Sequence, residues 1–410
     1  MMFMFLFLIN IFYSFGLSWL SFTDSHIDLD YKANSPDNCL LWSKIGTKCC
    51  RQSSIPLKPY NKVSKWGNIK CDIPTLLFEG IINWIKTNLY SSYKFDFIIN
   101  TGDDCSHKDI SQPFSNINIK TINYVWNVIH NNFPNIPYYP VYGNHDEVIV
   151  DQTPPLLTSL FISKSSYNWN KWIFNSSTLQ YGYYSQVFNK NLKIISFNSI
   201  YYDSNNIFKI NNTKNDIKRI NNQFKWLDNE LNNSLINNQQ VLFLNHIPIG
   251  GSESIEYSNY NLKLLLEKYQ SIILLNMNGH THNNRFTLIK NTDNKYIGFS
   301  MIPLSMTTDN HFPGFRIYTY NNNKLDYINY ICNLTTIILN NKILCQYEYT
   351  FSTEYNISNI NLNNTIQLYN NLINSPNYFN KYYSHYSIGG NITNCSTSIC
   401  KQQYINEIIV

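Results

Sequence analysis

Six short apolar runs in this chain each stop on polar, reactive residues, and that arrangement limits the fold more than any other feature. "LSWLSFTDSH" ends at Asp24 and His26, "FDFIINTGDDCSH" at Asp103 and His107, and "YYPVYGNHDE" at Asn144 and His145. "NLKIISFNSI" ends at Asn198, "QQVLFLNHIPIG" at His246, and "SIILLNMNGHTH" at His280 and His282. The apolar parts are about four to eight residues of Ile, Phe, Leu, Tyr and Val, the make-up of buried strands. Helix-like stretches lie between them, among them "IPTLLFEGIINWIKTNLYSS", "INYVWNVIHNNFP" and "NNQFKWLDNELNNS". Strand and helix in alternation predict a layered α/β domain. Ligands in such domains sit beyond the carboxyl ends of the strands, where every one of these clusters falls.

Six of the nine histidines gather at those ends; His130, His311 and His385 do not. A lone histidine is more often structural than a ligand, but six beside Asp24, Asp103 and Asn144 read as a metal centre. Imidazole nitrogen and carboxylate oxygen suit Zn²⁺, Mn²⁺ or Fe. Two cations about 3.5–4 Å apart need one carboxylate to bridge them and separate ligands on either side. Asp24, His26, Asp103, Asn144, His246, His280 and His282 supply seven such groups. A glycine precedes Asp103, Asn144 and His280, where it allows a tight turn. Asp146 reads equally as a turn-capping carboxylate or as a residue that orients the loop.

With 410 residues, 43% hydrophobic and 14% charged, the chain is long and apolar enough for a large core. The net charge is +5, but Lys and Arg look scattered, so no nucleic-acid polymer is expected as a partner. Asparagine occurs 64 times against the single Ala33, a bias expected of an A/T-rich genome, and Asn-rich tracts are read as tolerant surface or helix. The opening "MMFMFLFLINIFYSFGLS" has an uncharged apolar run of about 15 residues, short for a span and suited to a signal peptide over residues 1–16. No later segment reads as a transmembrane helix. The chain is therefore expected outside the cell or in an acidic lumen of the secretory pathway. There its nine cysteines would form disulfides, the odd count leaving at least one aside. Eight Asn-x-Ser/Thr sequons are open to N-glycans, though chance alone would give about nine.

Five blocks in order, "FTDSHIDLDYK", "INTGDDCSH", "VYGNHDE", "LNHIPIG" and "NGHTHNN", resemble those of the calcineurin-like metallophosphoesterases. The acid sphingomyelinase-like phosphodiesterases are the nearer likeness. His107 stands four residues after Asp103 as in that branch, and "WGNIKCDIP", "NHIPIG" and "FPGFRIYTYN" resemble its further motifs. The likeness runs from about Trp19 to Tyr386. It implies a four-layer αββα sandwich over residues 17–324 and a helical, cysteine-containing extension over 325–410. It implies two zinc ions, one held by Asp24, His26, Asp103 and His282, the other by Asp103, Asn144, His246 and His280. His145, and His107 as a second candidate, would face the phosphate and protonate the leaving group. The resemblance also implies a Cys39–Cys71 disulfide and a C-terminal cysteine cluster begun by Cys395 and Cys400. Cys105, where the family often has proline, is read as a simple replacement. The implied substrates are small phosphodiesters, nucleotides or phospholipid headgroups, with Tyr31, Tyr142 and Phe312 as aromatics near the site. The saposin-like domain of acid sphingomyelinase has no room between the signal and the first strand. A sphingomyelin phosphodiesterase, a phosphomonoesterase and an inactive binding protein on this scaffold are the alternatives.

Overall fold

In the computed structural model, residues 16–40, 49–107, 116–174, 176–208, 214–389 and 395–410 are described. The expected signal segment lies outside them except for Gly16, as do the sequons at Asn175, Asn211, Asn391 and Asn394.

The apolar runs become strands because alternate side chains enter two different cores. In β1 (Leu17–Phe22) Trp19 enters one core, while Leu20 and Phe22 enter another. β2 (Phe97–Asn100) divides in the same way, with Phe97 and Ile99 on one side and Ile98 on the other. β3 (Tyr138–Pro140) completes a parallel run β1–β2–β3. The second sheet holds β4 (Tyr184–Asn189), β5 (Leu192–Ser196), β6 (Gln240–Leu244), β7 (Ile273–Met277), β8 (Arg285–Lys290) and β9 (Tyr296–Ile302), in the order β4-β5-β6-β7-β9-β8. Its inner four strands are parallel and its two edges antiparallel. β10 (Gly314–Asn321), β11 (Lys324–Ile331) and β12 (Gln346–Thr350) extend the first sheet antiparallel, giving β12-β11-β10-β1-β2-β3.

The inner faces of the sheets meet in a shared core, where Trp19 stacks between Phe97 at 5.3 Å and Tyr318 at 5.1 Å, with Ile194, Leu242 and Met277 across from them. The outer face of the first sheet packs on the helices Thr75–Asn88 and Ile117–Asn132 through Phe78, Ile82, Val125 and Ile129. The outer face of the second packs on Lys214–Ile236 and Glu256–Lys268 through Leu227, Leu231, Leu262 and Leu266. These are the four layers expected, and the parallel strands of each sheet present their carboxyl ends together.

The expected extension 325–410 carries the helices Leu334–Asn340, Leu362–Asn374, Pro376–Tyr386 and Ser398–Asn406. The same stretch also supplies nearly all of β11 and the whole of β12. Its last residues lie along β8, with Leu288 N donating to Ile408 O at 2.7 Å and Lys290 N to Val410 O at 2.8 Å. Among the described residues no helix is long and apolar enough to cross a membrane.

The implied Cys39–Cys71 pairing is not found. Cys39 bonds Cys49 and Cys50 bonds Cys71, with Cα–Cα distances of 5.6 and 6.4 Å. Two adjacent cysteines give the chain two partners at nearly the same position, so the single bridge expected becomes two. Cys332–Cys345 and Cys395–Cys400 complete the set, and Cys105 stands outside it.

The helix Pro376–Tyr386 reaches towards the site, because Tyr386 O accepts from Asn284 N at 2.9 Å, two residues after His282. His385 fastens this helix to the first sheet. Its Nδ1 meets Glu348, and its Nε2 lies 3.4 Å from Glu354 Oε1. Burial alone would lower the pKa of this ring, but the hydrogen bond and charge of Glu348, then those of Glu354, raise it. The stabilisation is fully present below the unfolded imidazole value of about 6.5 and is lost as pH rises through the higher folded value. His385→Gln is therefore expected to cost about 1 kcal/mol near pH 5 and less near pH 8.5, as read by urea unfolding at both pH values.

Candidate metal centre

All nine residues singled out in the sequence fall into one connected cluster at the carboxyl ends of β1, β2, β3, β6 and β7. The backbone reaches it under strain. Asp24, His26, Asp103, His280 and His282 have φ of 47°, 42°, 58°, 73° and 60°. Non-glycine residues rarely adopt that region, at a cost of about 1–3 kcal/mol each where it is unfavourable. The glycines before them do two different jobs. Gly102 itself has φ 100°, as a turn demands. Gly143 and Gly279 are needed for close approach, since a Cβ on them would lie 2.0 Å from Asp103 Oδ1 and 2.2 Å from Thr23 Oγ1.

Asp146 holds this strained backbone. Its Oδ2 accepts from Asp103 N and Gly143 N, both at 2.9 Å. Its Oδ1 accepts from Asp104 N at 2.8 Å and Cys105 N at 3.0 Å. One buried carboxylate thus joins the loop after β2 to the loop after β3. The orienting reading of Asp146 is the one the structure bears out.

The ring protons can be assigned from their fixed partners. A backbone carbonyl only accepts, so His26 Nδ1 donates to Cys105 O and His246 Nδ1 donates to Thr101 O, each at 2.8 Å. His280 Nε2 lies 2.6 Å from Glu253 Oε2 and donates there. The other nitrogen of each ring then faces the cluster. Asn144 Nδ2 donates to Asp151 Oδ1 at 2.8 Å, which turns Asn144 Oδ1 inward. That oxygen lies 3.0 Å from both His246 Nε2 and His280 Nδ1. His246 Nε2 is also 3.2 Å from Asp103 Oδ2. Asn144 Oδ1, His246 Nε2, His280 Nδ1 and Asp103 Oδ2 thus converge on one another, a set of donor atoms that suits a cation. On the other side of Asp103, His26 Nε2 lies 3.5 Å from Asp103 Oδ2 and 2.9 Å from His282 Nε2. His282 Nε2 is in turn 3.6 Å from Asp24 Oδ1.

The electrostatics agree. Burial pushes the Asp24 carboxyl up to about 6. Burial, then the charge of Asp146, hold Asp103 well above the carboxylate range. Burial first, and then His107, keep His26 and His145 well below the imidazole range. Among the described residues no Lys or Arg pairs with Asp24 or Asp103. A divalent cation would offset the burial of the carboxylates and favour neutral imidazoles, the form that burial already favours for His26 and His145. The donor set fits two such cations with Asp103 between them.

His145 and His107 flank the cluster. The His107 ring stacks on His26 with centroids 3.7 Å apart and lies 4.6 Å from His145. His107 Nδ1 is held by Asp72 Oδ1 at 2.8 Å, and Asp72 Oδ2 accepts from His107 N and Ser106 Oγ. The His145 amide donates to Asp103 Oδ1 at 2.8 Å, while its buried Nδ1 meets no partner among the described residues.

Sequence reasoning missed Asp72, Asp151 and Glu253, which orient the rings and the amide. Asp72 did carry a signal, since it lies in the quoted "WGNIKCDIP". Asp151 and Glu253 stand in loops with no motif of their own. Tyr142, expected near the site, is fully buried and bonded to Ser165. Tyr31 directs its hydroxyl to Ser64 O. The Cys105 thiol faces Asn118 O and belongs to none of the metal-capable groups among the described residues.

Residues 76–284 match the family profile described as calcineurin-like phosphoesterase. The chain is 29% identical to cyclic GMP-AMP phosphodiesterase SMPDL3A of Homo sapiens, over 94% of this chain and 86% of that one. It is 28% identical to sphingomyelin phosphodiesterase A of Dictyostelium discoideum, over 95% of this chain and 65% of that one. A dimetal phosphatase of Danio rerio aligns in structure with a TM-score of 0.48 at 11% identity, over 76% of this chain and 95% of that one.

Asp146→Asn tests the clamp. An amide keeps one acceptor oxygen and turns its NH₂ against backbone donors, so the change is expected to cost about 2–4 kcal/mol of stability. Metal content of the folded fraction should fall with it. Unfolding midpoints and elemental analysis read both effects, and a variant with unchanged stability would remove Asp146 from its clamping role.

Proposed function

The chain belongs to the calcineurin-like phosphoesterase family, and we propose that within it this protein is a two-metal phosphodiesterase acting on small phosphodiesters. The observation that carries the reading is the set of metal-capable atoms around Asn144 Oδ1, turned inward by the outer partners Asp151, Thr101 and Glu253. Asp24, His26, Asp103 and His282 would hold one ion, and Asp103, Asn144, His246 and His280 the other. When bound, such a pair lowers the pKa of water and neutralises charge on the phosphate. Zinc is the proposed metal, since imidazole and carboxylate donors suit it; Mn²⁺ and Fe remain compatible with the same groups.

The chain's own residues orient the substrate and move the proton. Asp72 fixes the His107 ring by Nδ1 and leaves Nε2 for the reaction. Asp103, which accepts from the His145 amide, sets that ring beside the phosphate. Either imidazole can hydrogen-bond a phosphate oxygen, and His145 is proposed to protonate the leaving oxygen. The substrates named for the relatives, cyclic GMP-AMP and sphingomyelin, are both phosphodiesters, and that class is proposed here. Four disulfides support a secreted or lumenal location, with residues 1–16 as the signal peptide. Of the described sequons, Asn232, Asn356 and Asn363 are exposed and are the proposed glycan acceptors.

The test is hydrolysis of bis(p-nitrophenyl) phosphate by purified protein, with metal content read on the same material. Two ions per chain and turnover abolished by chelation are expected. His145→Ala should lower kcat by about 10²–10⁴-fold with both ions retained. Asp72→Asn should lower it by about 10–100-fold and alter the pH profile, since only the orientation of His107 is lost. Two bound ions without turnover on any phosphate ester would favour the binding-protein alternative, and no bound ion after reconstitution would overturn the metal assignment.

A further inference from the structure

A stapled excursion between β1 and the helix Thr75–Asn88 holds the chain's positive charge. From residue 38 to residue 71 there is no Asp or Glu, while Lys and Arg occur seven times. The whole chain has 31 Lys and Arg against 26 Asp and Glu, so removing these seven leaves 24 against 26. The excursion is thus a cationic stretch, while the rest of the chain taken together is nearly neutral. Two of them are engaged at the base of the excursion, Arg51 with Asp28 at 2.8 Å and Lys70 with Asp37 at 3.0 Å. Lys58 and Lys62 are exposed at the tip.

The tip also exposes apolar side chains. Every residue from 55 to 62 is exposed. Ile55, Leu57 and Tyr60 are 46%, 48% and 38% exposed, and Leu40 is 46% exposed. Leu40 N donates to Ile55 O at 2.8 Å and Leu57 N to Asn38 O at 3.1 Å, so the two segments form one surface. Behind it, among the described residues, lies a small core of four cysteines and Val63 with Tyr31 packed against it. The Cys39–Cys49 and Cys50–Cys71 bonds hold the excursion in place of a larger one. Among the described residues, Leu40, Ile55, Leu57 and Tyr60 belong to none of the buried apolar clusters.

We propose that this tip docks the enzyme on an anionic lipid surface. Apolar side chains flanked by Tyr and Lys are the chemistry that enters the boundary between headgroups and acyl chains. Lys58 and Lys62 supply the attraction to anionic lipid. A nucleic acid would satisfy the charge but leave Ile55, Leu57 and Leu40 in water. The base of the excursion adjoins the metal centre, since Arg51 Nη2 reaches Ser106 Oγ at 3.4 Å, and Ser106 Oγ donates to the Asp72 that holds His107. Docking would bring the metal centre to the headgroup layer, a consequence that rests on the phosphodiesterase reading, whereas the docking itself does not.

The experiment is sedimentation of the full-length protein with phosphatidylcholine vesicles, with and without about 30 mol% phosphatidylserine, at about 0.1 M and 0.5 M salt. Binding to the anionic vesicles is expected to exceed binding to the neutral ones by about tenfold and to fall at high salt. Lys58→Glu with Lys62→Glu, and separately Leu57→Gln with Tyr60→Ser, should each reduce it by about fivefold or more. Both variants should keep full turnover of bis(p-nitrophenyl) phosphate, which verifies their folding. Equal binding to both vesicle types, or unchanged binding by both variants, would overturn the proposal. So would a dimer in solution that either variant dissociates, because the face would then belong to a second copy. Vesicle binding without turnover of any phosphodiester would leave the docking standing and refute the catalytic reading instead.

Discussion

The centre depends on one carboxylate accepting four backbone N–H groups. Asp146 ties residues 103 to 105 to Gly143, and so fixes two loops from neighbouring parallel strands relative to each other. Asp103 is thereby aimed at the middle of the cluster, and the carbonyls of Thr101 and Cys105 are aimed at His246 and His26. The bond from Asp103 N to Asp146 helps to compensate the positive φ at Asp103. A buried charge with four donors is costly to break, because each donor left behind loses about 1–3 kcal/mol.

Around that clamp runs a second ring of contacts that sets which atom of each donor faces inward. Glu253 takes one nitrogen of His280, Asp151 takes the amide of Asn144, and Asp72 takes one nitrogen of His107. Imidazoles whose outer nitrogens are engaged in this way turn the other nitrogen inward, beside Asp24 and Asp103, whose carboxyls burial holds above the usual range. Arg316 continues the ring. Fully buried, it donates to Ile302 O at 2.8 Å and to the side chain of Asn284, in the loop that carries His282. The strain at five of the nine residues is thus borne by a frame of buried hydrogen bonds.

Stability and access are managed away from the centre. The shared core between the sheets is apolar and holds the strand ends in register, while His385 secures the helix whose end supports the His282 loop. The cationic excursion has almost no core, and its disulfides take over the work of packing. Such a division allows an exposed apolar tip beside a rigid site.

The sequence by itself determined the alternation of strands and helices, the gathering of histidines at strand ends, and the candidate donors Asp24, His26, Asp103, Asn144, His246, His280 and His282. Those features are local, since a strand's period and the residues that end it are written in consecutive positions. Tertiary structure alone decided the rest. Cys49 and Cys50 are adjacent, so spacing cannot say which of them meets Cys39 and which Cys71; only the folded Cα positions do. Asp146 caps its own turn through Gly143 N and also binds a distant loop, and that second role required the amides of residues 103 to 105, about forty positions earlier, to arrive beside it. Asp151 and Glu253 carry no motif, because a side chain that orients another needs only to reach it in space. Tyr142 looks like a site aromatic in the chain but is core, since the strand before it turns that ring towards Trp169 at 4.6 Å and not towards the cluster.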